Sequence, residues 1–241
     1  MRYLFGFLCV CALGVMPLVG CSETAGDGGG CGGSGDTAIL VVLPLDVDEQ
    51  DNGTPLPDVT VCENGTTNCD LSDSTGRAEL QLCVDQETSY TNEKDGYGSQ
   101  LRADVLTAAG ESVSPWMRVD ADLKTRYDSV VSPYPQEGTG TVFVIVGARD
   151  GGPDGATLEL IDATGKAFYV DENGNWVLGL TATTSAGTGG FVEVSPGEVE
   201  VEIGGTASNC LIEYAWPSDS ANTIRLPVRE GFMTVARVNC D

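Results

Sequence analysis

A strict alternation of apolar and acidic residues is the pattern that most constrains the fold of this chain. Within residues 191–203, Val199, Val201 and Ile203 alternate with three glutamates. Because successive side chains of a strand point to opposite faces, this period of two predicts a half-buried antiparallel strand with an acidic outer face. Other short apolar or alternating runs lie at 38–43, 59–61, 78–83, 141–146, 223–228 and 232–238. The chain is therefore predicted to be all-β, and the run at 38–43 to be a buried strand.

The composition agrees with this fold and excludes several kinds of chemistry. The 241 residues include 32 glycines but no histidine, so histidine-dependent catalytic triads and zinc sites with histidine ligands are excluded. No Gly-x-Ser-x-Gly nucleophile elbow occurs. Among 36 acidic residues, no carboxylate pair is singled out for glycoside hydrolysis, which leaves a small hydrolase as a remote alternative. We predict that the chain is not an enzyme and needs no cofactor.

Residues 1–20 have the organisation of a secretory signal peptide. Arg2 is followed by 17 residues, 3–19, without a charged side chain. This run is shorter than the ~20 residues that a membrane-spanning helix needs, which argues against an uncleaved membrane anchor. The sequence Leu18-Val19-Gly20-Cys21 resembles the lipobox of bacterial lipoproteins. The resemblance implies that Cys21 becomes an acylated N-terminus and binds the chain to a lipid bilayer.

Residues 21–36 are rich in glycine and are expected to form a flexible tether. Ser22 stands where lipoproteins retained in the inner membrane carry aspartate, so the resemblance implies the outer membrane. Without the signal the chain keeps 11 of its 12 basic and all 36 acidic residues, a net charge of 11 − 36 = −25. Such a charge predicts no binding to nucleic acid or to anionic lipid surfaces.

Six cysteines remain once the signal peptide and the lipidated cysteine are set aside: Cys31, Cys62, Cys69, Cys83, Cys210 and Cys240. An even number of cysteines in an exported chain predicts disulfide bonds. Cys210 and Cys240 are alone in the C-terminal half and are expected to pair with each other.

The four N-terminal cysteines leave more than one arrangement open. Cys62 and Cys69 flank the tight-turn sequence Asn64-Gly65, which would let them face each other across a hairpin. Cys83 is then left either to pair with Cys31 or to stay free. A metal site is the alternative for this group, but no CxxC motif supports it.

Two segments share an order of sequence elements: a glycine- and proline-containing strand start, an alternating strand, a turn that contains glycine, and a further strand. The first contains Gly-Thr-Pro-Leu-Pro-Asp-Val-Thr-Val and ends at Gly96-Tyr97, and the second contains Gly189-Gly190 and Pro196-Gly197. Both resemble the carboxypeptidase regulatory-like domain. The resemblance implies two antiparallel β-sandwich domains of transthyretin or immunoglobulin type, at 37–98 and 138–241. These domains leave no room for a zinc peptidase.

Residues 99–137 match neither segment and are expected to be a connector with a short helix. Ser132-Pro133 should end the helix, and Asp120 is its expected N-cap. A helical lid over a ligand is the alternative to a connector packed on a sandwich. The apolar residues that predict one helix face are Val119, Leu123, Tyr127 and Val130.

Two acidic loops are alternatives for a calcium site, although we predict no metal. Residues 46–52 include Asp46, Asp48 and Asp51, but the glycine spacing and the missing twelfth-position glutamate depart from a calcium loop. Residues 171–175 are better explained by hairpin turn chemistry.

The function predicted from these features is that of a lipid-anchored, non-catalytic cell-envelope protein whose sandwiches act as spacer or interaction modules. Its partner would be an envelope protein or a glycan. The alternative is a carbohydrate-binding lipoprotein that stacks sugars on exposed tryptophans. Trp176 and Trp216 are the candidate binding residues, with Trp116 as a third.

Overall fold

A computed structural model describes residues 31, 35–47, 53–148 and 153–241. These residues form a predominantly β structure with one helix, as the alternating patterns predict. The predicted signal peptide, the lipidation site Cys21 and most of the tether lie outside the described residues. Among the described residues, no helix has the length and apolarity required to cross a membrane.

The first half contributes ten strands and then the helix. The strands are β1 (Thr37–Val42), β2 (Leu45–Val47), β3 (Gly53–Pro55), β4 (Thr60–Glu63), β5 (Cys69–Leu71), β6 (Ala78–Cys83), β7 (Glu87–Glu93), β8 (Gln100–Val105), β9 (Glu111–Val113) and β10 (Trp116–Met117). Helix α1 (Asp120–Ser129) follows.

The second half contributes ten more strands. They are β11 (Gly140–Ala148), β12 (Ala156–Ile161), β13 (Lys166–Val170), β14 (Trp176–Val177), β15 (Thr188–Val194), β16 (Gly197–Gly205), β17 (Leu211–Tyr214), β18 (Trp216–Pro217), β19 (Thr223–Val228) and β20 (Met233–Cys240). The predicted alternation in β16 is confirmed, because Val199, Val201 and Ile203 are buried.

One sheet of ten strands runs through both halves of the chain. Its order is β14-β13-β15-β11-β20-β8-β7-β4-β5, with β17 also paired to β20. Strand β20 joins the halves, since it pairs in parallel with β11 on one side and with β8 on the other. The predicted connector 99–137 therefore supplies β8, β9 and β10 in addition to the expected helix.

Three smaller sheets and the helix cover this central sheet. A first core lies between the β8-β7-β4-β5 end and the sheets β6-β1-β9 and β10-β2-β3; Leu40, Leu80 and Tyr90 belong to it. A second core lies between the central sheet and the sheet β12-β16-β19-β18. Val142 and Val144 contact this second core, whereas Phe143 between them packs with α1. Since alternate side chains face opposite sides, α1 and the four-stranded sheet cover opposite faces.

Helix α1 packs its apolar residues on the central sheet. Leu123, Tyr127 and Val130 are buried as the spacing predicts, while Val119 remains 39% exposed. The predicted N-cap is wrong by one residue, because Val119 occupies that position and makes no side-chain cap. Asp120 is instead the first helical residue, where its carboxylate accepts a hydrogen bond from the Tyr134 hydroxyl.

The helix also covers the β14 edge of the central sheet. The Ser129 hydroxyl donates to the carbonyl of Trp176 at 2.9 Å, and the Arg126 guanidinium donates to the carbonyl of Gly174 at 2.6 Å. Backbone acceptors at this edge are thereby satisfied by helix side chains, which leaves fewer groups free to pair with another strand.

Three disulfide bonds connect the six cysteines, which confirms the prediction of disulfides. Cys62 and Cys69 are bonded across the β4–β5 hairpin, where they are paired residues. The other bonds join Cys210 to Cys240 and Cys31 to Cys83. The last bond fastens the N-terminal extension to the end of β6.

A row of polar side chains is buried beside the first core on β7 and β8. Arg102 and Asp104 are only 5% and 4% exposed, and the Arg102 guanidinium lies 4.8 Å from the centre of the Tyr214 ring. Burial, followed by the nearby charge of Glu111, raises the pKa of Asp104 to about 6. The folded chain therefore binds a proton here at pH values where an unfolded aspartate has lost it.

We expect Asp104→Asn to change the pH dependence of stability. In the wild type the raised pKa of Asp104 lowers the free energy of unfolding by about 2–3 kcal/mol as the pH rises from about 4 to about 6. The neutral amide removes that cost, so the variant should gain stability relative to wild type over this interval. Urea unfolding at several pH values measures the difference, with the exposed Asp85→Asn as control. A difference between Asp104→Asn and wild type that is constant with pH would contradict the assignment.

Candidate functional site

An open cleft of about 620 Å³ lies where the two halves of the chain meet. Its walls come from the end of β7, the loop after it, the first turn of α1, the segment Tyr134-Pro135 and the turn at Gly231. A second hollow of about 340 Å³ shares Glu93, Lys94 and Asp95 with the cleft. The loop 93–95 thus lines both concavities.

The backbone fixes this loop against the start of the helix. The Asp120 amide donates to the carbonyl of Gly96 at 2.9 Å, and the Gly98 amide donates to the carbonyl of Arg118 at 3.0 Å. Gly98 lies against Leu123, because a Cβ added to it would be 2.0 Å from Cδ1 of Leu123, so a side chain at this position would require Leu123 to shift. The two backbone hydrogen bonds and this contact join the loop to the start of the helix.

Two tyrosines give the cleft its aromatic surface. The Tyr134 ring lies 5.0 Å from that of Tyr127, and its hydroxyl donates to the carboxylate of Asp120. Burial, followed by this carboxylate, raises the pKa of Tyr134. Burial, together with Asp46, also raises the pKa of Tyr97. Both phenols therefore stay neutral at physiological pH, where they offer a ring for stacking and a polar end for hydrogen bonds.

The ammonium groups of the cleft are positioned by partners at its borders. Lys94 Nζ donates to the carbonyl of Pro57 at 2.8 Å, and Lys124 Nζ lies 2.8 Å from the Asp128 carboxylate. Glu93, Asp95 and Asp120 also line the cleft. The cleft therefore offers acceptors, donors and rings to a polar ligand. Within the part of the chain that the structure describes, no group of three acidic or cysteine residues is arranged to hold a metal ion.

The tryptophans predicted to bind sugars lie outside this cleft. Trp176 is 3% exposed and stacks on Phe168 with ring centres 4.2 Å apart, so its ring is part of a core and presents no surface to a sugar. It is buried because α1 covers the strand that carries it. Trp216 is half-buried against the second core, and its indole N–H donates to the carbonyl of Thr88 at 2.8 Å. Trp116 is 50% exposed, on β10.

The acidic loop 171–175 forms a hairpin turn between β13 and β14. One carboxylate oxygen of Asp171 accepts the amides of Asn173 at 2.9 Å and Asn175 at 2.8 Å. Hydrogen bonds from Asn175 lower the pKa of Asp171. The Asp171 carboxylate is therefore occupied by hydrogen bonds within the turn. In the other acidic loop Asp46 is described, while Asp48 and Asp51 lie outside the described residues.

Sequence reasoning missed the cleft because its residues come from separate parts of the chain. The Gly96-Tyr97 strand end and the segment around Tyr134 were each visible in the sequence, but as a domain end and a helix stop. Their approach depends on how α1 packs over the central sheet. The one signal in the sequence was that Tyr97 follows Gly96 and Tyr134 follows Pro133, which places both of these cleft tyrosines directly after a turn residue.

No family model matches the chain, and no curated protein matches it. Among solved structures, the TIE protein of Bacillus anthracis is 14% identical with a TM-score of 0.27, and the match covers 85% of this chain and 34% of that one. The chain thus spans about a third of that protein's length. A minor pilin of Streptococcus agalactiae is 10% identical with a TM-score of 0.30, covering 84% of this chain and 95% of that one. A shaft pilin of Lactobacillus rhamnosus GG is 10% identical with a TM-score of 0.26, covering 86% and 99% respectively. These scores are too low to carry a functional argument, and the β architecture rests on the strands described above.

Proposed function

We propose that the chain is a lipid-anchored, non-catalytic protein of the cell envelope, in which disulfide-bonded β-sandwiches serve as an interaction module. The Leu18-Val19-Gly20-Cys21 sequence supports the anchor, and Ser22 supports the outer membrane. The three disulfides suit an exported protein. The partner is an envelope protein or a glycan that binds in the cleft.

The construction of the cleft is the observation that carries this proposal. Lys94 is held by a backbone carbonyl, Lys124 by Asp128, and the Tyr134 hydroxyl by Asp120. The raised pKa values of both tyrosines keep their hydroxyls protonated. Groups fixed in this way recognise a ligand by hydrogen bonds and stacking, and they do not require proton transfer.

Charge reversal at Asp95 is expected to weaken partner binding. Asp95 is exposed and lines both hollows, so Asp95→Lys changes the charge at the centre of the site without disturbing a core. We expect about tenfold less recovery of the partner that the mature chain captures from envelope extracts, the equivalent of ~1.4 kcal/mol. Asp219→Lys makes the same charge change at an exposed position away from the cleft. Periodate treatment of the extract distinguishes a glycan partner from a protein. Equal capture by the two variants would place the binding site elsewhere.

The Cys21→Ser variant tests the anchor. Two or more acyl chains hold a protein on a bilayer stably, whereas the unlipidated chain has a net charge that opposes adsorption to anionic lipid. The Cys21→Ser chain is expressed with the signal peptide of an ordinary secreted protein in place of residues 1–20, and it should fractionate with soluble proteins. The wild type, expressed with its own signal peptide, should sediment with membranes. Cys11→Ser, within the signal peptide, should leave the wild-type distribution unchanged. Salt-resistant sedimentation of Cys21→Ser would reveal a second anchor.

A further inference from the structure

A row of apolar side chains lies on the outer face of β1 and β2, together with residues of the β9–β10 segment. We name it the outer row: Ile39, Val41, Leu43, Leu45, Ser112, Ser114 and Trp116. Their neighbours Leu40, Val42, Val113 and Met117 are buried in the first core. Since side chains alternate between faces, the outer row points away from that core, and its open stretch ends at Leu45, because Val47 on the same face is only 4% exposed. The sequence predicts a buried strand at 38–43, but only one of its faces is covered.

The register of the strands places the tryptophan beside aliphatic neighbours. Leu45 pairs with Trp116 on one side and with Pro55 on the other. Val41 pairs with Ser112 by the same offset, so the row continues past the break at Leu43-Pro44. Ile39 and Trp116, at its two ends, are each 50% exposed. From residue 39 to residue 45 the row spans roughly 20 Å, at about 3.3 Å per residue.

The outer row is uncharged although the chain has a formal net charge of −24. The nearest acidic neighbour of Val41 is Glu79 on β6, which is paired with Arg77. A basic partner would be attracted more strongly to the glutamates on the outer face of β16 than to this row. The absence of charge within the row therefore favours a neutral ligand.

The size of the outer row decides between a second protein and a polymer chain. With strands about 4.8 Å apart, a face two strands wide and ~20 Å long has an area of roughly 200 Å². A stable protein interface needs about 800 Å² from each partner. An extended chain of sugars fits such a narrow face, because sugar rings present C–H groups that pack on indole and aliphatic side chains. Their hydroxyl groups can bond to Ser112 and Ser114, both exposed.

We propose that the outer row binds a neutral, extended polysaccharide, with Trp116 as the stacking residue. The indole offers the largest exposed ring surface of the row, and the aliphatic residues continue the contact along β1. This site is separate from the cleft and needs no lipid on Cys21. Failure of this proposal would therefore leave the proposed anchoring and cleft binding unaffected.

Polysaccharide sedimentation tests the proposal. The chain from residue 22 onward, which contains every described residue, is mixed with insoluble cellulose, chitin and starch granules. We expect it to sediment with at least one of them, and Trp116→Ala to weaken that binding by about tenfold. Trp116→Phe keeps a ring and should restore most of the binding. Binding should also be unchanged between about 0.05 and 0.5 M NaCl, because the ligand is neutral.

Matched variants define the outcomes that would overturn the proposal. Leu71→Ala removes a 55% exposed apolar side chain elsewhere and should bind like the wild type. Equal loss in Leu71→Ala and Trp116→Ala, or no binding to any of the three polysaccharides, overturns the assignment. A dimer that Trp116→Ala converts to a monomer would instead identify the outer row as a self-association surface. Binding to neutral phosphatidylcholine vesicles that requires Trp116 would identify it as a lipid-contacting surface.

Discussion

Trp176→Ala is expected to destabilise the chain by about 3–5 kcal/mol, the cost of removing a large aromatic side chain from a core. Trp176 is 3% exposed, stacks on Phe168 at 4.2 Å and contacts Tyr127 of α1 at 5.2 Å between ring centres. Its loss opens a cavity between the helix and the central sheet. A small domain has only about 5–15 kcal/mol of total stability, so the variant should unfold at a much lower denaturant concentration. Chemical denaturation followed by circular dichroism measures the change.

Trp116→Ala is the matched control for this measurement. It removes the same side chain from a position that is 50% exposed, where the smaller buried area gives an expected loss about half as large, ~1.5–2.5 kcal/mol. If Trp176→Ala were as stable as Trp116→Ala, the helix would not pack on the sheet as described.

The double variant Cys210→Ser, Cys240→Ser is expected to lose about 3–4 kcal/mol of stability. The disulfide closes a loop with a sequence separation of 30 residues, and its removal returns conformational entropy to the unfolded chain. The loop contains β17, β18, β19 and β20, so it includes two strands of the central sheet and two of the four-stranded sheet. Thermal unfolding of the oxidised wild type and of the double variant gives the difference.

The hairpin disulfide supplies a control for that experiment. Cys62 and Cys69 are separated by 7 residues, so the same entropy relation gives a smaller loss, about 2–2.5 kcal/mol, for Cys62→Ser, Cys69→Ser. A larger loss from this variant than from the Cys210/Cys240 pair would show that loop entropy is not the main contribution.

Local patterns predicted the elements that depend on local physics. The alternation predicted for β16 is confirmed, because each of its side chains points to one face of the sheet or to the other according to its position in the strand alone. The turn at Asn173-Gly174 lies between β13 and β14 as predicted, since the preference of Gly174 for a positive φ, here 80°, is local. The buried face of α1 was predictable for the same reason, because the spacing of Leu123 and Tyr127 places both side chains on one side of the helix.

Features that depend on long-range pairing were not predictable in this way. Nothing in β8 or β20 alone indicates that the two strands pair across a separation of more than 130 residues. That pairing joins the two halves in one sheet. Likewise, the alternating pattern around Trp176 does not say which face a helix will cover. The cleft and the outer row both follow from such non-local arrangements.

The Cys31–Cys83 bond sets the longest distance at which the folded body can stand from the proposed lipid on Cys21. Without it, 16 residues would separate Cys21 from the start of β1, since 37 − 21 = 16, and even a fully extended chain of that length reaches at most about 53–58 Å. With it, the body is fastened 10 residues after Cys21, since 31 − 21 = 10, and this upper limit falls to about 33–36 Å. A reductant that opened this one bond would therefore raise the greatest possible standoff from the bilayer by about 20 Å.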